Sequence, residues 1–122
     1  MPKLTKGDVN KWLEDYVKAW KSNSARDIAP LFTEDAVYST GPYDAPWVGQ
    51  QAIIDGWIGV GDRPEDWSFD YEVVAVDGDL GVVKGTTVYK EPPSTFRNLW
   101  LIRLAEDRRC KEFQEMFVRK AD

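Results

Sequence analysis

Four stretches between residues 67 and 119 decide the fold: WSFDYEVVAV (67–76), LGVVKGTTVYK (80–90), FRNLWLIRLA (96–105) and CKEFQEMFVR (110–119). The first alternates at its start, with Phe69, Tyr71 and Val73 on one face and Asp70 and Glu72 on the other. That period of two is the mark of a half-buried strand. Asp77-Gly78-Asp79 is a hairpin signal, which makes Leu80 to Lys90 the return strand. Glu91-Pro92-Pro93-Ser94-Thr95 is expected to be a loop, because consecutive prolines cannot donate to a sheet. Glu106-Asp107-Arg108-Arg109 is the last turn, between a long strand over 96–105 and a final strand over 110–119. The half reads as an antiparallel meander.

The stretch before it has a different period. Thr5-Lys6-Gly7-Asp8 has the form of a capping box with Asp in place of Glu, followed by Val9, Trp12, Leu13, Tyr16, Val17 and Trp20 at helical spacing. Residues 5–22 are therefore predicted to form an amphipathic helix. Ser22-Asn23-Ser24 breaks it, and Ser24 caps a shorter helix that buries Ile28, Leu31 and Phe32. A short strand is expected over Ala36–Ser39, then turns through 41–49, then a third helix over about 50–60 with Ile53, Ile54, Trp57 and Ile58 apolar. Helices first and a meander second give an α+β layout with the helices on one sheet face. With 122 residues and no linker or repeat, a single domain spanning 1–122 is expected.

Composition removes several function classes. There is no histidine, so Ser-His-Asp, Cys-His and His-ligated zinc chemistries are excluded for this chain. The single Cys110 rules out an internal disulfide or a cysteine-based metal cluster. Neither clustered carboxylates nor a glycine-rich strand–helix loop is present, and no metal, nucleotide or flavin is expected as cofactor. The net charge of −5, from 16 Lys+Arg against 21 Asp+Glu, argues against nucleic acid or an anionic membrane as partner. No apolar run follows Met1–Lys6 and none reaches the ~18 residues of a membrane span, so a cytoplasmic protein is expected. Six Trp, five Tyr and five Phe suit either a bulky core or a ligand cavity.

Three runs carry a family resemblance: Tyr16-Val17-Lys18-Ala19-Trp20; Ile28-Ala29-Pro30-Leu31-Phe32-Thr33-Glu34-Asp35-Ala36-Val37-Tyr38; and a helix opened by Gly49. With Asn98–Leu104 and Glu112–Phe117, they resemble the nuclear-transport-factor-2-like superfamily over essentially the whole chain. The resemblance implies a cone-shaped, curved, mixed or antiparallel sheet of about five or six strands, wrapped by three helices of the N-terminal half into an α+β barrel with a pocket at its mouth. SnoaL-like cyclases, ketosteroid isomerases, limonene-epoxide hydrolases and proteins without known catalysis share that fold, so function has to be argued from the site.

Carried over residue by residue, the resemblance puts Tyr16 where ketosteroid isomerases place a hydrogen-bonding tyrosine, but Thr40 and Trp100 where they carry aspartates. Against the epoxide hydrolases, Tyr38 matches the tyrosine and Glu115 the last carboxylate; Thr40 stands for the asparagine, and Gly85-Thr86-Thr87 replaces the Arg-x-Asp pair. The cyclases rely on histidines. No catalytic set is complete.

Period-2 geometry supplies a physical site beside this. Phe113, Glu115 and Phe117 share one face of the last strand, and Asn98, Trp100 and Ile102 share the matching face of its neighbour. Glu115, between two aromatic side chains, is expected to lose hydration and hold its proton more tightly. Gly85 is expected to leave space in the cone. Glu115, Tyr16 and Tyr38 are the catalytic candidates. Thr40, Asn98, Trp20, Phe32 and Trp57 are expected to bind ligand, as are Phe69, Tyr71, Trp100, Phe113 and Phe117. The bland alternatives are a Glu115 paired with Arg97, Arg119 or a tyrosine hydroxyl, and core tyrosines with satisfied hydroxyls. Asp44 reads as a loop carboxylate within reach of the mouth. The function expected is binding of a small, mostly apolar molecule with one polar group, as a cofactor-free lyase, isomerase or hydrolase, or as a non-catalytic binding or scaffold protein. Leu99, Leu101, Met116 and Val118 fall on the opposite face, where a homodimer contact is expected.

Overall fold

The computed structural model describes residues 3–121, so the ends of the expected 1–122 span lie outside the described residues. Helix α1 (Lys6–Ser22) starts at a complete capping box: the Asp8 N–H donates to Thr5 Oγ1 and the Thr5 N–H to Asp8 Oδ2. Its apolar stripe, Val9, Trp12, Leu13, Tyr16 and Ala19, is buried. Asn23 ends it in the left-handed region at φ 50°, with its N–H on the Ala19 carbonyl. Ser24 caps the short α2 (Ala25–Ile28), and a 3-10 turn over Ala29–Leu31 leads into β1 (Phe32–Ser39). Strand β1 thus begins four residues before the expected Ala36. Phe32, expected on a helix face, is its first residue and pairs with Cys110.

The turn-rich segment contains a two-residue strand that alternation could not signal, β2 (Trp47–Val48), paired antiparallel with β1. Helix α3 (Gln50–Val60) follows, opened by Gly49 at φ 94° and closed by Gly61 at φ 57°. The Gln50 side chain donates to the carbonyls of Ala29 and Phe32, tying the helix start to the root of β1. The meander comprises β3 (Trp67–Asp77), β4 (Leu80–Lys90), β5 (Pro93–Leu104) and β6 (Cys110–Arg119). The expected proline loop contracts to Glu91-Pro92, a correction with a simple cause. Pro93 occupies the first strand position, where a missing N–H is tolerated, and Ser94 and Thr95 pair with Tyr89 and Val88.

The sheet order is β2-β1-β6-β5-β4-β3, and β1 joins β6 in parallel, so the sheet is mixed. It is open, with β2 and β3 at its edges. Irregular register at Val73/Ala75, Arg103/Leu104 and Phe32/Val37 marks bulges, which bend and twist strands. The concave face carries the core: Val83, Trp100, Ile102 and Phe113 are buried against Val9, Leu13 and Tyr16 of α1 and Ile53 and Trp57 of α3.

Gly85 corrects one expectation. The space above it is not left to the cone but taken by the Phe69 ring of the neighbouring strand. A Cβ on Gly85 would meet Phe69 Cε1 at 2.6 Å and the Asp70 carbonyl oxygen at 3.1 Å. Phe69 in turn stacks on Trp100 at 4.8 Å. Gly85→Ala should therefore cost about 1–3 kcal/mol through overpacking, read as a lower thermal midpoint. An unchanged midpoint would show that the ring has room to move away.

Candidate functional site

The concave face is filled at one end and hollow at the other. Along β6 the inward residues pass from Phe113, 0% exposed, through half-buried Glu115 to Phe117, 52% exposed. Beside them on β5 lie Ile102, Trp100 and Asn98 in register. A cavity of about 560 Å³ opens from the level of Trp100 outward, within the usual size range for small-molecule pockets.

Tyr16, Tyr38, Trp20, Thr40 and Trp57 line it, as do Asn98, Trp100, Glu115 and Phe117. Four expected wall residues do not. Phe32 is fully buried among Trp12, Tyr38 and Trp57, and Phe113 is stacked between Tyr16 and Tyr38 with centroid distances of 5.6 and 4.4 Å. Phe69 lies over Gly85 against Trp20 and Trp100, and Tyr71 stacks on Phe69. Phe32 and Phe113 plug the closed end of the cone, and Phe69 and Tyr71 are partly buried against it. Alternation names the face of a strand but not the depth at which that face stops being core.

Glu115 is hydrogen-bonded through one oxygen only among the described residues. Its Oε2 accepts from Trp100 Nε1 at 2.8 Å and from Asn98 Nδ2 at 3.2 Å, and Asn98 Oδ1 accepts from Thr87 Oγ1 at 2.8 Å. Its Oε1 accepts nothing from the described residues. Neither structural alternative for Glu115 is realised. Arg97 pairs with Thr86 and Val118 on the opposite parity, and Arg119 lies four residues along the strand, about 13 Å away. The tyrosines bond each other instead, Tyr16 Oη to Tyr38 Oη at 2.7 Å. Burial raises the pKa of Glu115, opposed by the two donors and assisted by the charge of Asp62. Burial also holds Tyr16 and Tyr38 well above the usual phenol range, so both stay protonated. Two hydroxyls that share one hydrogen bond leave one O–H over, at the cavity wall.

The second carboxylate at the cavity, Asp62, lies in a loop where no sequence period marks it. It follows the left-handed Gly61 that ends α3, and its Oδ2 accepts from Trp20 Nε1 at 3.1 Å and Tyr89 Oη at 3.0 Å. Asn23 Nδ2 donates to the Asp62 carbonyl at 2.6 Å, so the left-handed end of α1 fixes this loop. Trp20 is itself held by stacking on Trp67, with centroids 3.7 Å apart. Asp44 also reaches the mouth, close to Thr40 Oγ1. Thr87, Tyr89 and Phe96 were legible as inward parity with Gly85 and Asn98. Asn23, Trp47 and Asp62 come from turns or loop-like edges, where no period operates.

Among the described residues no group of three or more His, Cys, Asp or Glu side chains is placed to hold a metal ion. No helix among them is long and apolar enough to cross a membrane.

The model of a SnoaL-like domain matches residues 13–113. No curated protein sequence matches. Solved structures of similar fold include a nuclear-transport-factor-2-like protein of unknown function from Mesorhizobium loti, at 20% identity over 97% of each chain with a TM-score of 0.71. A LEH-like epoxide hydrolase of M. tuberculosis is 12% identical over 93% of this chain and 84% of its own, with a TM-score of 0.65. A ketosteroid isomerase-like protein from Erwinia carotovora atroseptica is 18% identical over 93% of this chain and 95% of its own, with a TM-score of 0.62. Such identities establish likeness of fold. With the family match running from the first helix into the last strand, the chain belongs to the SnoaL-like domain family.

Proposed function

We propose that the cavity binds a small, mostly apolar molecule through one polar group, and that the chain acts on it as a cofactor-free lyase, isomerase or hydrolase. One observation carries this: a carboxyl group held by two donors on one oxygen presents its other oxygen to an aromatic cavity. Glu115 is then the base or water activator, with its proton affinity raised toward neutrality by burial. The spare O–H of the Tyr16–Tyr38 pair donates to the oxygen on which negative charge develops. Trp20, Trp57 and Phe117 provide apolar wall. A binding protein without turnover is the second reading. It is favoured by Thr40 and Trp100 at the positions where ketosteroid isomerases resemble this chain but carry aspartates.

Assembly is part of the same proposal. Leu99, Met116 and Val118 are 38, 41 and 71% exposed on the convex face, where Leu99 and Met116 are cross-strand neighbours. Lys84 lies on this face beside Glu72, and Arg97 and Asp70 flank Thr86, charges of both signs that a second copy can match. A homodimer through this face should sediment at twice 14.0 kDa at roughly tens of micromolar. A monomer there would refute it.

Glu115→Gln tests the site. Gln keeps the shape and an acceptor for Trp100 but cannot take a proton. The variant should fold, yet lose at least about tenfold in affinity, some 1.4 kcal/mol, in tryptophan-quenching titrations with small hydrophobic carbonyls, epoxides and amines. Turnover, where one of these is a substrate, should vanish; binding that persists with no turnover in either form is the outcome of the second reading. Destabilisation with binding intact would overturn the site itself.

Stability gives a separate check. The folded pKa of Glu115 lies above its ordinary 4.5, so the folded state favours the neutral acid. The stability it contributes is complete below 4.5 and is lost as pH rises through the folded value. The thermal midpoint of Glu115→Gln should therefore gain on the wild type from pH 4 to pH 8. A gap moving the other way would mean that Glu115 is stabilised as a carboxylate.

A further inference from the structure

The charge inventory of the cavity narrows the ligand class. Three carboxylates line it, Asp44, Asp62 and Glu115, and no Lys or Arg is among its described lining residues. The chain has no histidine to add a positive charge. A negatively charged ligand would meet these acidic groups and no counter-charge, and a neutral one would bring no charge to pair with them. Nor is Asp62 a carboxylate merely turned to water. Trp20 and Tyr89 both donate to its Oδ2 and orient it, and its Oδ1 accepts nothing from the described residues. Glu115 repeats the pattern, with Oε2 held twice and Oε1 open. Each carboxylate is thus fixed on one oxygen and offers the other. The two serve one cavity: Asp62 and Glu115 both line it, together with the Tyr89 that donates to Asp62. Around them stand aromatic rings, whose negative faces attract a cation. In the partly desolvated cavity, charge pairing is worth more than at the open surface.

We infer that the ligand is an organic cation, an amine on an apolar body, whose ammonium group is received by Asp62 and Glu115 within the aromatic wall. The inference rests on the cavity being the ligand site, and adds the charge of the occupant. It separates this chain from any relative whose substrate is uncharged. An ammonium supplies the N–H donors that the two open carboxylate oxygens lack.

The test uses three probes of one size and different charge: 3-phenylpropylamine, 3-phenylpropan-1-ol and 3-phenylpropionate, titrated at pH 7 by tryptophan fluorescence and calorimetry. The amine should bind at least about tenfold more tightly than the alcohol, and the carboxylate should not bind. Asp62→Asn keeps an acceptor for Trp20 and Tyr89, and with Glu115→Gln it should bring the amine down to the affinity of the alcohol. Near-UV circular dichroism, which reads the packing of the aromatic wall, confirms that both variants fold with the cavity in place. An alcohol that binds as tightly as the amine would overturn the cation while leaving the cavity as a ligand site. An amine preference that survives both substitutions would overturn the assignment to Asp62 and Glu115. Failure of all three probes to bind would overturn the ligand site along with the inference.

Discussion

The hydrogen bond from Trp100 Nε1 to Glu115, 2.8 Å long, joins cross-strand neighbours and sits where packed core gives way to cavity. On one side of it Trp100 is sealed against Tyr16, Phe69 and Phe113. On the other, a carboxyl group faces space that no side chain fills. A carboxyl on the concave face of a sheet is costly unless it is bonded, protonated or paired with a cation. Trp100 and Asn98 bond it, and burial raises its proton affinity. Asn98 can donate only because Thr87 holds its oxygen and so sets the amide the right way round. That chain runs across three strands, β4, β5 and β6. The register of the meander is therefore a requirement of the site as well as of the fold: a slip of one residue would turn Glu115 to the convex face and Met116 into the cavity.

The cavity exists because the cone is plugged with rings at one end only. Phe32, Phe69 and Phe113 interlock with Trp12, Tyr16 and Trp100, a cluster whose large buried area stabilises the closed end. Toward the mouth, Tyr38, Trp20 and Tyr89 still present rings, but their polar tips are committed to Tyr16 and Asp62. The same residue types thus serve as core at one level and as a polar lining a few ångströms further out. The plug preserves the cone, and the mouth is free to change its chemistry.

Much of the fold was legible. The capping box at Thr5–Asp8, the stripe from Val9 to Trp20, and the Asp77-Gly78-Asp79 hairpin are local signals, and each lies where it was read. The parities of Asn98, Trp100, Glu115 and Phe117 followed from alternation, and all four meet at the cavity. What stayed hidden depends on three-dimensional distance. Trp47 joins the wall because its ring covers Gly56 of α3, a packing of two segments that no period encodes. Asp62 arrives through Asn23, a helix end that could be read as a break but not as a clamp. Phe113 and Glu115 are two residues apart on one face, and only depth makes one of them core and the other cavity wall.

The site turns on a Glu115 that faces the cavity with no cation paired to it, so that burial raises its proton affinity. The most direct measurement is a carbon-13 NMR titration of the Glu115 side-chain carboxyl in the unliganded protein, assigned by its loss in Glu115→Gln. The account predicts a midpoint above the ordinary value of 4.5. A midpoint at or below 4.5 would mean that Glu115 stands in water or beside a cation, and would contradict the site.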